Sequence, residues 1–265
     1  MSPLLRRAGR APAPIQDITP ANAGWTYVGF EVVSLASGKT LARTGIGREL
    51  CAVMVQGTAA ALVDGQSFGD IGGRASPFDG LPSSLYVPPG ATLNLTARDA
   101  CEIAICSAPA QGLLPPKLIP PSDVGRETRG KGTNKRYVSN ILPDTTPHAE
   151  SLLVVEVTTP GGNWSSYPPH KHDRDALPDE SLLEETYYHR LAKPRGYAIQ
   201  RVYTDDRTLD ETITVQDRDV VLVPRGYHPV GAAHGYDLWY LNVMAGPKRI
   251  WRFRNDPDHD WIMRA

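Results

Sequence analysis

Apolar residues recur at every second position in many short runs of this chain, and the runs end at Gly, Pro, Asp or Ser. Thr92-Leu93-Asn94-Leu95-Thr96-Ala97 shows the pattern in simple form. A period of two belongs to a strand with one face in a core. The same reading predicts strands over 26–35, 39–43, 50–56, 58–63, 84–87, 92–97 and 101–106. In the second half it predicts strands over 152–158, 164–167, 185–191, 197–203, 212–215, 220–223 and 238–243. Twenty-four glycines and 24 prolines suit this many turns. No segment carries a helical period for more than a few turns. Residues 180–188 fit a turn of helix before a strand as well as they fit a strand. The expected fold class is all-β.

The pattern also suggests how the chain is divided. Residues 1–24, rich in Pro and Ala, read as an N-terminal arm, and 25–110 as a first β-barrel. Residues 111–147 carry a proline cluster and a basic run (Arg126, Arg129, Lys131, Lys135, Arg136) and read as a linker, with one arginine able to turn inward toward an anion. Residues 148–265 form a second barrel and tail. Leu85-Tyr86-Val87-Pro88-Pro89-Gly90 echoes Val221-Leu222-Val223-Pro224-Arg225-Gly226, and Arg48-Glu49-Leu50-Cys51 is matched with Glu184-Glu185-Thr186-Tyr187. The expectation is therefore two tandem barrels.

Composition narrows the function. An apolar content of 41% supports real cores, and a net charge of −1 argues against a nucleic-acid partner. Three cysteines without CxxC spacing read as buried thiols of a reducing compartment. With no signal-peptide core and no span long enough for a membrane, a cytoplasmic protein is expected.

Histidine is unevenly placed. None of the seven precedes His148, and four fall between His170 and His228. In an extended His170-Lys171-His172, both imidazoles share a face and Lys171 points away. Glu185, entering the next strand, is favoured over Glu184 as a carboxylate ligand, and Pro224-Arg225-Gly226-Tyr227-His228 delivers a third imidazole. His170, His172, Glu185 and His228 are thus candidate metal ligands that would leave positions open for substrate. Alternation puts Tyr187 and His189 on the face of Glu185. The acids of 173–180 read as a solvated loop. The N-terminal half has no histidine, and its Pro-Gly turn leads to Thr92, so one metal per chain is expected.

His-x-His, Glu and a Pro-x-Gly turn before a last His resemble the cupin superfamily, although the step from His172 to Glu185 is long for it. Gly162-Asn163-Trp164-Ser165-Ser166-Tyr167-Pro168-Pro169-His170-Lys171-His172-Asp173, Gln200–Asp206, Val223–Pro229, Leu241–Pro247 and Asn255–Trp261 look more narrowly like the bacterial 5-deoxy-glucuronate isomerases of inositol catabolism. The resemblance spans nearly the whole chain and extends to the uronate ketol-isomerases of pectin breakdown.

It implies a bicupin, two cupin-type barrels of double-stranded β-helix, that converts 5-deoxy-D-glucuronate to 5-dehydro-2-deoxy-D-gluconate. Such an aldose–ketose isomerisation moves the C2 proton to C1 through an enediolate, with one divalent metal steadying the charge. Zinc is the first choice, with manganese, iron and nickel as alternatives. Glu184, Tyr187, His189 or hydroxide on the metal are open as the proton carrier. Gln200, Tyr203 and Tyr227 are candidates for the sugar hydroxyls. Arg201, Arg225 and the linker arginines are candidates for the carboxylate. The partner is a small uronate, with no nucleic acid or membrane; the N-terminal barrel is a candidate contact for a homo-oligomer. The rivals are another uronate or sugar ketol-isomerase, a ferrous cupin dioxygenase and a sugar-binding cupin without catalysis.

Overall fold

The computed structural model describes residues 2–9 and 14–264. The chain divides into two compact units. One holds the N-terminal stretch through Ala8, Arg126–Val138 and the chain from Glu156 onward; the other holds the chain from Gly9 to Gly125 and Ser139–Val155. Both are built of strands. Among the described residues the one α-helix is Pro20–Ala23, and none is long and apolar enough to cross a membrane.

In the first-half unit the organising strand is Arg48–Val63. Its beginning pairs with Ser84–Val87 and Cys101–Pro109, and its end with Gln66–Arg74 and Thr92–Ala97. The sequence pattern suggests two strands here because Gly57 interrupts the run. The structure has one strand, which changes sheets at that glycine. Gly57 lies at φ 82°, and a Cβ there would stand 2.6 Å from the carbonyl of Ala100. Only glycine takes that bend without displacing backbone. Gln66–Arg74, broken by glycines, lies outside the expected strands. The inward face carries Leu50, Ala52 and Met54, packed with Leu93, Leu95 and Ile103. All three cysteines are free and buried.

The two halves repeat one another in strand pairing, but one residue out of step with the match made from sequence. Val87 and Val223, each preceding the Pro-x-Gly turn, pair with Leu50 and Glu185. Ala108 and Ala245 pair with Glu49 and Glu184. Glu49 is therefore the counterpart of Glu184, and Leu50 stands where the second half has Glu185. Because alternation has a period of two, a slip of one residue reverses the face. Glu49 does not point into the barrel's apolar interior. Its carboxylate accepts the backbone N–H groups of Glu150 (2.8 Å), Ser151 (2.8 Å) and Leu152 (2.6 Å). Glu150 in turn accepts those of Gln111, Gly112 and Leu113 at 2.8–2.9 Å.

Glu49 is fully buried, and charge-assisted bonds of this kind count for about 1.5–3 kcal/mol each. Glu49→Gln removes the charge and turns an NH₂ toward N–H donors. We expect it to lower stability by about 2–4 kcal/mol in urea unfolding, with the metal content per chain unchanged. A second bound metal that disappears in Glu49→Gln would contradict this.

In the second-half unit a seven-stranded sheet runs in the order Leu5–Arg6, Val220–Val223, Glu184–Leu191, Leu238–Ala245, Leu153–Thr159, Arg136–Leu142 and Gly125–Arg129. A four-stranded sheet runs Trp164–Ser165, Val230–Ala232, Ala198–Tyr203 and Asp210–Val215. The start of the chain thus adds an edge strand, and Arg7 anchors it with an ion pair to Asp219 at 2.5 Å. Much of the segment read as a linker is strand. The ambiguous 180–188 stretch forms the strand Glu180–Leu182 and the start of Glu184–Leu191. Glu184–Leu191 is buried at every position and paired on both sides, so it shows no simple polar alternation.

Candidate metal centre

The long step from His172 to Glu185 is explained by a hairpin. Asp173–Ala176 runs out and Glu180–Leu182 returns, and the Leu183 N–H closes it on the His172 carbonyl at 2.9 Å. Glu185, two residues on, is thereby set against His172. The hairpin acids are not uniformly solvated as expected. Asp175 and Asp179 are exposed, but Glu180 is buried and accepts the Asp173 N–H at 2.8 Å. Asp173 accepts the N–H of Gly226 at 2.9 Å. Gly226 (φ 91°) turns the chain so closely beneath Tyr203 that a Cβ would lie 2.5 Å from the Tyr203 carbonyl. This turn carries His228 inward.

The three imidazoles of His170, His172 and His228 converge, their ligating atoms all within 4.8 Å of one another and all three rings buried. Nε2 of His172 and Nε2 of His228 each lie 3.2 Å from the same oxygen, Oε2 of Glu185. Ligands held about 2.0–2.2 Å from one ion stand about 3–3.5 Å apart, so these three atoms have the spacing of a coordination sphere. The far nitrogens support this. His172 Nδ1 faces the Leu183 carbonyl at 3.2 Å, and His228 Nδ1 faces the Gly226 carbonyl at 2.8 Å. A carbonyl only accepts, so each Nδ1 carries a hydrogen, and in the neutral ring each Nε2 presents a lone pair. Two lone pairs and a carboxylate oxygen then meet in a buried space, an arrangement that needs a cation among them. The donor set fits a divalent metal.

The electrostatics follow from this crowding. Burial works against the Glu185 anion, yet the charges and hydrogen bonds of His228 and His172 bring its pKa down to about 2. Burial, then His228 and His172, hold His170 well below the ordinary imidazole range. For His172 burial is outweighed by Glu185 and the Leu183 carbonyl, and its pKa is raised. Phe253 lies against the His170 ring at 4.6 Å between centroids.

Deeper in the barrel, Tyr187 and His189 follow Glu185 on the same strand face, their rings stacked at 6.0 Å. The Tyr187 hydroxyl is 2.8 Å from Ser166 Oγ, and burial raises its pKa well above the ordinary phenol range. His189 Nε2 lies 3.0 Å from Gln200 Oε1, while His189 Nδ1 and Gln200 Nε2 are buried without a partner among the described residues. Burial lowers the His189 pKa to about 4, opposed by the Gln200 bond. Since 4 lies below the 6.5 of an exposed imidazole, the unfolded chain takes up the proton first as pH falls. The stabilisation is complete above about pH 6.5 and is lost toward pH 4, about 3 kcal/mol in all. Metal-free His189→Gln is therefore expected to lose less stability than metal-free wild type between pH 7 and 5. Parallel pH profiles in urea unfolding would contradict this.

Several expected site residues lie elsewhere. Glu184, on the opposite strand face from Glu185, is not part of the cluster. In Ala198–Tyr203 alternation turns Gln200 inward and Arg201 outward, where Arg201 forks onto Asp210 at 2.8 and 2.7 Å. Tyr203 shares that outer side, its ring under the Arg201 guanidinium at 4.4 Å and its hydroxyl on Asp256 at 2.7 Å. Arg225 is exposed in the turn. Tyr227 adjoins His228, but its hydroxyl is committed to Asp205 at 2.8 Å. Lys171 points away from the cluster as expected, yet it is buried, paired with Asp205 and with Asp173 at 3.3 Å. Sequence reasoning missed Tyr240 and Asn242, which pair across the sheet with His189 and Tyr187. Two polar side chains within the buried run Leu238–Ala245 were the available signal.

The chain is 54% identical over 249 residues to a 5-deoxy-glucuronate isomerase of Geobacillus thermodenitrificans, covering 94% of this chain and 90% of that one. It is 52% identical over 269 residues to a 5-deoxy-glucuronate isomerase of Halalkalibacterium halodurans, covering 99% and 100%. The crystal structure of an IolB-like protein from Salmonella typhimurium superposes with a TM-score of 0.96 at 50% identity, covering 98% and 99% of the two chains. Oxalate decarboxylase from Lactobacillus farciminis, at 14% identity and a TM-score of 0.70 over 100% and 91%, shares the fold, a bicupin. The model of the KduI/IolB family matches residues 4–262, and the chain belongs to that family.

Proposed function

We propose that this chain is a metal-dependent isomerase that converts 5-deoxy-D-glucuronate to 5-dehydro-2-deoxy-D-gluconate in the cytoplasmic breakdown of myo-inositol. What carries the reading is full-length identity of 51–54% to proteins named 5-deoxy-glucuronate isomerase, in a chain with a converging His/His/His/Glu donor set. His170, His172, Glu185 and His228 hold one divalent ion, zinc first among manganese, iron and nickel. That ion, when bound, supplies Lewis acidity to the aldehyde and hydroxyl oxygens.

The chain's own side chains do the rest. Tyr187, kept protonated by burial, donates a hydrogen bond at a reacting oxygen. His189 gives its Nε2–H to Gln200 and keeps a lone pair on Nδ1, so it is the proton carrier between C2 and C1. Its low pKa, about 4, keeps it unprotonated at neutral pH and so able to accept a proton. The polar inner residues Gln200, Tyr240 and Asn242 face the sugar hydroxyls.

The test is NMR of 5-deoxy-glucuronate with metal-replete protein in deuterium oxide. The 5-dehydro-2-deoxy-gluconate signals are expected to appear, with deuterium on the product's hydroxymethyl carbon (the aldehyde carbon of the substrate) to the extent that the carried proton exchanges. Absence of conversion would sink the reading. Activity on another uronate instead would favour a second member function of the same family.

A further inference from the structure

Arginines of this chain are commonly matched with acids. Arg43 pairs with Glu31, Arg129 with Glu127, Arg174 with Asp205, Arg190 with Asp217 and Arg201 with Asp210. Arg136 is different. It belongs to the segment Arg126–Val138, which is part of the metal-bearing unit. That segment is tied down by Asn163, whose side chain donates to the Lys135 carbonyl at 2.8 Å. The Arg136 guanidinium is half-buried and donates from Nη1 to the carbonyls of Asn134 (3.1 Å) and Tyr167 (3.0 Å). Tyr167 lies three residues before His170. Among the described residues Arg136 has no ion pair, and Glu127, already bonded to Arg129, acts on it only at a distance.

Its position is set by the Tyr167 carbonyl, which holds the guanidinium beside the turn that leads into His170. Burial lowers its pKa, and the neighbouring Arg129 opposes its charge as well. A half-buried guanidinium beside another cation, with two carbonyls for partners and no carboxylate in contact, carries a charge that is only partly compensated. Adding a divalent ion to the cluster makes the surroundings more positive still. Nε and Nη2 remain for a planar, two-oxygen partner.

We propose that Arg136 is the carboxylate-binding residue of the site, gripping the acid end of the uronate while its carbonyl end lies at the histidine cluster. This rests on the uronate reading above and adds the source of its specificity. A sugar without the carboxylate leaves Arg136 unpaired, so the site rejects it in proportion to that bond. Arg201 and Arg225, the other cations considered for this role, are respectively paired on the outer strand face and exposed in a turn.

The experiment compares metal-loaded wild type and Arg136→Gln by titration calorimetry with D-gluconate and D-glucitol. These open-chain six-carbon polyols cannot isomerise and differ by the carboxylate. Wild type is expected to prefer gluconate by about ten- to a hundredfold, the range of a bond between charged groups, and Arg136→Gln to lose that preference with its metal content intact. In turnover, the KM for 5-deoxy-glucuronate should rise by a similar factor, with a smaller change in kcat. If Arg136→Gln does not fold, Arg136→Lys, which keeps the charge but not the fork, is expected to lose part of the preference. No preference in wild type, or an undiminished one in the variants, overturns the proposal. Gluconate preference in a wild type that fails to isomerise 5-deoxy-glucuronate would instead sink the isomerase reading and leave Arg136 as a carboxylate site.

Discussion

His172→Ala is expected to strip the protein of metal and reduce turnover to less than about 1% of wild type, with the β-sheet circular dichroism retained. Loss of a group that merely orients a ligand costs about 10–100-fold in metal affinity, and loss of a ligand should cost more. His172 does both jobs. Its Nε2 meets Glu185 Oε2, and its ring nitrogen on the other side locks the returning hairpin at Leu183. Alanine also leaves Glu185 buried with one fewer cationic neighbour, so the metal-free variant should be less stable than metal-free wild type. The fold should survive, because the strands that build the barrel are held by ladder bonds and apolar packing independent of the cluster. Plasma mass spectrometry showing near-stoichiometric metal in His172→Ala, together with normal turnover, would remove the histidine from the site.

Much of this architecture is legible in the sequence because strands write their burial as alternation. Thr92–Ala97 alternates half-buried and buried positions, and its pattern is readable at a glance. Alternation likewise puts Glu185, Tyr187 and His189 on one face without any structure. What it does not show, where both faces are covered as in Glu184–Leu191 and Leu238–Ala245, is which face is inward, since burial at every position erases the polar–apolar contrast. There the inward members Tyr240 and Asn242 become visible only through cross-strand pairing. Arg201 shows the opposite error. Its sequence neighbour Gln200 faces inward, and a period of two sends the arginine out to Asp210.

Long-range placement is the other limit. The basic run near Arg136 has the composition of a solvated loop, and nothing local says that it joins the metal-bearing unit. The match of the two halves made from sequence is one residue out of step because Glu49 and Glu185 each stand 39 residues before the proline that opens a Pro-x-Gly turn. The strand pairings of Val87 and Val223, and of Ala108 and Ala245, expose the slip. Its consequence is physical. Leu50, apolar and in the core of the first-half unit, occupies the place of a ligand carboxylate, so that position offers a metal no acid. Glu49 keeps its charge for backbone amides instead.

The slip also sharpens the difference between Glu184 and Glu185, adjacent acids with opposite facings. Glu185→Gln removes an anionic oxygen that stands 3.2 Å from two imidazole nitrogens. An amide in its place offers a neutral oxygen at best, and its NH₂ group would compete for the histidine lone pairs. The low pKa of Glu185, about 2, shows how strongly its surroundings demand the anion. Loss of an anionic ligand oxygen should cost more than the roughly 10–100-fold in metal affinity that follows loss of a group that only orients a ligand. Glu184 pairs with Ala245 and is the counterpart of Glu49, on the face away from the cluster. Glu184→Gln should therefore keep near-normal metal occupancy, whatever it costs in stability. Equilibrium dialysis of both variants against a buffered zinc series separates the two. Metal lost in Glu184→Gln and retained in Glu185→Gln would mean that the strand is one residue out of register, with Tyr187 and His189 facing away from the barrel interior as well.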